Sequence, residues 1–152
     1  IVARMTESLI EGDKMNEVPI NHCLEIGTGC GYQTYILSLF SKKVTSVERI
    51  EPLQDKAKET LKNLGVRNVT FKIDDGNNLG RLKYDAILSA AAPLSVPSTL
   101  KERLAVGGRL ILPVGDSQRQ VLTLIHRIDN DSYEEKRLED VLFVPLLKGI
   151  VS

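Results

Sequence analysis

The sequence predicts an α/β fold, a doubly wound and mostly parallel sheet with helices on both faces and an antiparallel hairpin at the C-terminal end. Three observations carry this. From Asn21 to Val114, β-rich apolar runs alternate with helix-periodic stretches, and such alternation implies parallel strands joined by right-handed crossovers. Tyr84 to Ser89 is an apolar run of the kind a sheet covered on both faces requires. Near the end, two longer segments flank the turn D-N-D-S, the signature of an antiparallel pair.

The elements follow in order. Ile1, Val2, Met5, Leu9 and Ile10 recur at near-helical spacing and predict a helix over about 1–10, closed by the polar turn E-G-D-K. A strand covers about Asn21 to Ile26 and ends at Gly27; a helix follows from Tyr32 to Phe40. Val44 to Val47 is a short strand. Pro52 sits at a helix start, and that helix runs to Leu64 and is closed by Gly65. Strands are expected at Val69–Ile73, Tyr84–Ser89 and Arg109–Val114, with a short helix at Pro97–Leu104 stopped by Gly107-Gly108. Gln120–Ile128 and Arg137–Leu146 form the hairpin. No repeat, low-complexity tract or linker interrupts the pattern, so a single domain over 1–152 is expected.

Composition excludes several classes. Lys plus Arg equals Asp plus Glu, 20 of each, which argues against a broad basic surface for nucleic acid. No apolar run approaches the ~20 residues of a membrane helix, and I-V-A-R-M-T-E-S-L-I is too short and charged for a signal peptide. Two cysteines, Cys23 and Cys30, make no disulfide framework. With only His22 and His126 beside them, no metal site is expected. The expectation is a cytoplasmic protein. The chain also begins without methionine inside a helix-like pattern, so a segment before Ile1 is expected.

The chemistry concentrates in L-E-I-G-T-G-C-G-Y-Q-T, residues 24–34. Gly27, Gly29 and Gly31 bare the backbone where the first strand ends, the place where open α/β sheets bind ligands. A dinucleotide loop reads G-x-G-x-x-G; here the third glycine of that pattern falls on Tyr32 and the spacing is G-x-G-x-G. That tighter set suits the methionine part of S-adenosylmethionine. Glu48 ends the second strand, 21 residues after Gly27, where such sheets place an acid against a ribose. Asp75 in D-D-G, residues 74–76, can accept from an adenine amino group, with Gly76 allowing close approach; a turn needing Asp and Gly for its own geometry is the alternative. Three loops at one sheet edge argue for adenosine.

L-E-I-G-T-G-C-G-Y-Q, V-E-R-I-E-P-L, D-D-G, Y-D-A-I-L-S-A-A-A-P, V-G-G-R-L-I-L-P-V-G and F-V-P-L-L together resemble the protein-L-isoaspartate O-methyltransferase family, and in family order. The resemblance implies a class I, Rossmann-like methyltransferase sheet. It implies S-adenosyl-L-methionine as cofactor, with Glu25, Gly27, Thr28, Gly29 and Gly31 around its methionine part. Glu48 falls at the ribose and Asp75 and Gly76 at the adenine, with Arg49 also among the cofactor-binding residues. It places Ala91 and Val144, Pro145, Leu146 and Leu147 beside isoaspartyl-containing peptides and proteins. Two departures matter. The family has Gly-Asp-Gly where this chain has D-D-G. The family's Ser-x-Pro segment, whose serine approaches the substrate carboxyl group, lies upstream of Ile1, so no catalytic residue is assigned. The rival readings are a dehydrogenase, a nucleic-acid methyltransferase, a class I methyltransferase of another substrate, and a cofactor-binding domain without turnover. Y-E-E-K at 133–136 lacks the dehydrogenase spacing of Tyr and Lys, and S-A-A-A-P lacks the aromatic and amide of a base-flipping loop.

Overall fold

A computed structural model describes residues 1–16 and 20–152. Its order is α1 (Val2–Asn16), β1 (Ile20–Ile26), α2 (Tyr32–Phe40), β2 (Ser41–Glu48), α3 (Glu51–Asn63), β3 (Val69–Ile73), β4 (Tyr84–Ser89), α4 (Ser98–Glu102), β5 (Leu104–Gly115), β6 (Gln120–Arg127) and β7 (Tyr133–Val141). The strands make one seven-stranded sheet, β3-β2-β1-β4-β5-β6-β7. Pairings from β3 to β5 are parallel. Those of β6 with β5 and β7 are antiparallel.

Strand alternation explains why helices cover both faces. Leu24, Ile26, Ile87, Leu110 and Leu112 join one buried cluster with Leu100 of α4. Their neighbours Cys23, Ala86, Leu88 and Ile111 join the other, with Met5 and Leu9 of α1 and Leu37 of α2. Helix α3 starts with Pro52 in its first turn and buries Gln54, Ala57 and Leu61 on one face. It ends in a Schellman motif: Val66 N–H donates to Leu61 C=O and Gly65 N–H to Lys62 C=O, both at 3.0 Å.

Four expectations need correction. E-G-D-K is not a turn, because α1 continues through it to Asn16. The second strand begins at Ser41, since its polar first residues still pair with β1. The helix before Gly107-Gly108 ends at Glu102, and the glycines lie inside β5. They form a bulge there: β4 steps from Tyr84 to Ala86 while its partner steps from Leu104 to Arg109. A Cβ on Gly108 would lie 2.8 Å from the Ala105 carbonyl oxygen. The last strand is Tyr133–Val141, not Arg137–Leu146. Residues 142–147 leave the sheet and meet β4's loop through an Ala92–Pro145 bridge.

Candidate functional site

The chain leaves β1 toward β2 on one side, while β4 flanks β1 on the other. The divergence opens a crevice at the carboxyl ends of the strands. Gly27 N–H donates to Val47 C=O at 2.8 Å and Ala90 N–H to Ile26 C=O at 2.9 Å, so both loops start at that crevice. A Cβ on Gly27 would stand 3.4 Å from the Ala90 Cβ. The glycine keeps two loops in contact.

A cavity of about 470 Å³ fills the crevice. Gly27 and Gly29 line it from the first loop, Glu48 and Arg49 from the end of β2, and Asp75 from the end of β3. Ala91 and the stretch Val144 to Leu147 form the opposite wall. The other four residues that the resemblance assigns to the cofactor, Glu25, Thr28, Gly31 and Gly76, are not among the lining residues. Sequence reasoning missed Ile26, Val47, Ile50, Leu53 and Ala90, which also line it, as does Asp74, the acid by which D-D-G departs from the family pattern. Ile26, Val47 and Ala90 flank the glycine loop, Glu48 and Ala91, so strand ends were the available signal.

Glu48 is 6 % exposed. One carboxylate oxygen accepts Gly29 N–H at 3.0 Å; the other accepts Arg49 N–H at 2.9 Å and Ile50 N–H at 3.0 Å. The strand-end acid therefore holds the glycine loop as well as facing the cavity.

Glu25 is fully buried on the sheet face opposite Leu24 and Ile26. Its Oε2 accepts Thr34 Oγ1–H at 2.5 Å and Ser46 Oγ–H at 2.6 Å. Ser46 Oγ is also 2.6 Å from Thr28 Oγ1. Glu25 Oε1 has no hydrogen-bond partner among the described residues. Burial pushes its carboxyl up to about 7 against the two hydroxyl donors, and Glu48 adds to the rise.

Gly31 caps α2 with φ +87°; a Cβ there would fall 2.6 Å from Leu61 Cδ1 and 3.2 Å from Ala57 Cβ. Its bareness serves the packing of α3 on the loop. Between Gly29 and Gly31 sits Cys30, exposed, whereas Cys23 is wholly buried.

In D-D-G, Asp74 Oδ1 accepts Gly76 N–H at 2.8 Å and Asn78 N–H at 3.3 Å, a turn-forming pattern. Asp75 Oδ1 accepts Asn77 N–H at 3.1 Å, and its Oδ2 accepts Gly149 N–H at 2.9 Å. Arg49 Nε–H donates to Gly149 C=O at 2.9 Å, and Ile50 bridges Val151 in parallel. The segment after β7 thus runs from the end of β4 to the ends of β2 and β3, along the cavity.

The residues fit an adenosine-bearing sulfonium ligand: apolar surface from Ile26, Val47 and Leu53, one buried carboxylate at the second strand end, and a first loop that lines the cavity through Gly27 and Gly29. Among the described residues no group of three or more His, Cys, Asp or Glu side chains is placed to hold a metal ion.

The model of the Protein-L-isoaspartate(D-aspartate) O-methyltransferase (PCMT) family matches residues 1–150. The chain belongs to this family. It is 46 % identical to the protein-L-isoaspartate O-methyltransferase of Alcanivorax borkumensis, covering 99 % of this chain and 67 % of the relative. With that of Saccharophagus degradans it shares 51 %, over 99 % of this chain and 66 % of the relative. It spans about half, 48 %, of a Burkholderia cenocepacia relative at 46 % identity. A Plasmodium falciparum chain proposed to have the same activity, solved with S-adenosyl-L-homocysteine, superposes with a TM-score of 0.79 at 25 % identity, over 95 % of this chain and 73 % of that one. The O-methyltransferase family assignment agrees with the doubly wound sheet and its antiparallel end. No helix among the described residues is long and apolar enough to cross a membrane.

Proposed function

We propose that the chain transfers a methyl group from S-adenosylmethionine to the α-carboxylate of L-isoaspartyl residues in damaged proteins and peptides, the step that starts their repair. The observation that carries this reading is the cavity in which the ends of β1, β2 and β3 face the apolar wall of Ala91 and residues 144–147. A nucleotide side and a second, apolar side meet in one space.

The chemistry asks little of the protein's acids and bases. An isoaspartyl α-carboxylate ionises near about 3.5 and is already a nucleophile at neutral pH. The bound sulfonium supplies an activated methyl group and a neutral thioether as leaving group, so no general acid is needed. The chain's task is placement, which contributes roughly 7–11 kcal/mol in well-oriented reactions. Gly27 and Gly29 admit the ligand to the backbone, Glu48 presents acceptors for a sugar diol, and Ala91, Val144, Pro145 and Leu146 give the carboxylate an apolar wall.

The test is methyl transfer from labelled S-adenosylmethionine to an isoaspartyl peptide beside its aspartyl twin. Transfer to the isoaspartyl peptide alone is expected. Equal transfer to both, or transfer only to a nucleic acid, would sink the reading.

A further inference from the structure

Two backbone bonds hold the cofactor loop, Gly27 N–H to Val47 C=O at 2.8 Å and Gly31 N–H to Thr28 C=O at 2.9 Å, and its three glycines leave few side chains to add to them. Gly27, Gly29 and Gly31 adopt φ of +94°, +53° and +87°, a region that glycine enters freely and leaves as freely. Two side chains tether the loop. One is Glu48, on the Gly29 N–H, which lines the cavity. The other is Ser46, on the hydroxyl of Thr28; neither Ser46 nor Thr28 lines the cavity.

The second tether is buried throughout. Ser46 and Glu25 are 0 % exposed and Thr28 3 %. Ser46 stands opposite Glu25 in the β1–β2 register, so the contact is built by strand pairing rather than by a mobile side chain. An ionised carboxylate only accepts. Ser46 therefore spends its single proton on Glu25 Oε2, and Thr28 must donate to Ser46. The chain of bonds runs from Thr28 through Ser46 to Glu25, with Thr34 donating to the same oxygen from α2. The open Glu25 Oε1 takes the proton when the carboxyl is neutral, so the chain survives either state.

We infer that Ser46 is a positioning residue for the cofactor: it ties the glycine loop to the buried Glu25 carboxyl and so holds the loop in its ligand-ready shape. This rests on the reading that the loop binds S-adenosylmethionine. Ligand binding then need not order the loop, and preorganisation of this kind raises affinity without a new contact. Thr34 is the internal control. It bonds the same Glu25 oxygen but connects α2, not the loop.

Calorimetry with S-adenosylhomocysteine tests this on the full chain, in Ser46→Ala, Thr28→Val, their double variant, Thr28→Ser and Thr34→Ala. Ser46→Ala and Thr28→Val should each weaken binding by about ten-fold, the scale of a buried hydrogen bond lost. The double variant should be no weaker than the weaker single, because both cut one link. Thr28→Ser, which keeps the hydroxyl, and Thr34→Ala should stay within about two-fold of the parent. If Ser46→Ala does not fold, Thr28→Val against Thr28→Ser decides the matter alone. Unchanged affinity in Thr28→Val, equal losses in Ser46→Ala and Thr34→Ala, or additive losses in the double variant would overturn the inference. A parent chain that binds no S-adenosylhomocysteine would instead overturn the functional reading beneath it.

Discussion

The Glu48 carboxylate and the Gly29 amide are 3.0 Å apart, so the acid that ends β2 grips the loop that ends β1. Two strands that are neighbours in the sheet are thereby joined again beyond their ends, by two residues that both line the cavity. Glu48→Ala removes an acceptor from three backbone N–H groups. It should weaken S-adenosylmethionine binding by roughly 1.5–3 kcal/mol per charged hydrogen bond to the ribose hydroxyls lost. Calorimetry giving the parent affinity would remove Glu48 from the site.

Glu25 makes stability depend on pH in an unusual sense for a carboxylic acid. Burial raises its carboxyl from 4.5 to about 7 in the folded chain. Between those values the native state holds more protons than the unfolded one, so stability is fullest below about 4.5 and declines as pH rises through about 7. Glu25→Gln should flatten that part of the profile. Urea unfolding across the window checks it; a parent whose stability climbs from the lower to the higher pH, with no difference from the Gln variant, counts against a buried proton.

Gly31 and Gly29 both have positive φ, yet their Ala variants should differ. At Gly29 a Cβ meets nothing within 4 Å, leaving only the left-handed backbone penalty of about 1–2 kcal/mol. At Gly31 the Cβ collides with Leu61 Cδ1 at 2.6 Å and presses on Ala57 Cβ at 3.2 Å, adding about 1–3 kcal/mol of overpacking. Chemical denaturation should rank Gly31→Ala well below Gly29→Ala, and the opposite order would mean that α3 yields easily.

Asp75 anchors the segment after β7. The Gly149 N–H is the leading cause that holds its carboxyl below the usual aspartate range, with Asn77 next. Its anchoring is therefore present at neutral pH and lost only as acid brings the pH below that depressed value. Asp75→Asn should speed hydrogen exchange at the Gly149 amide while leaving β1 and β4 amides protected. Unchanged exchange at Gly149 would mean that the Arg49 contact and the Ile50–Val151 bridge hold the segment unaided.

Much of this was legible beforehand where local chemistry and tertiary role agree. Tyr32–Phe40, Val69–Ile73 and Tyr84–Ser89 begin and end where apolar period and glycine punctuation place them. The failures share a cause. In β7, Y-E-E-K-R-L-E-D-V is an exposed edge strand without an alternating apolar face, so the more apolar residues after it drew the boundary away. Gly107-Gly108 resembles a helix stop because a bulge and a cap use the same bare backbone. In the site, Glu48 was visible from its distance to Gly27, but Ser46 and Thr34 acquire meaning only from register and helix docking. Nor does anything near Gly149 in the sequence reveal partners at Arg49 and Asp75.

The two cysteines differ in a way that offers an instrument. Cys23 has no accessible surface, while Cys30 stands open among the glycines. Of the two thiols an alkylating reagent added to the native chain therefore reaches one, and it lies in the loop proposed to bind the cofactor. A small fluorinated tag there would report the loop's motion by nuclear magnetic resonance with no substitution elsewhere in the chain.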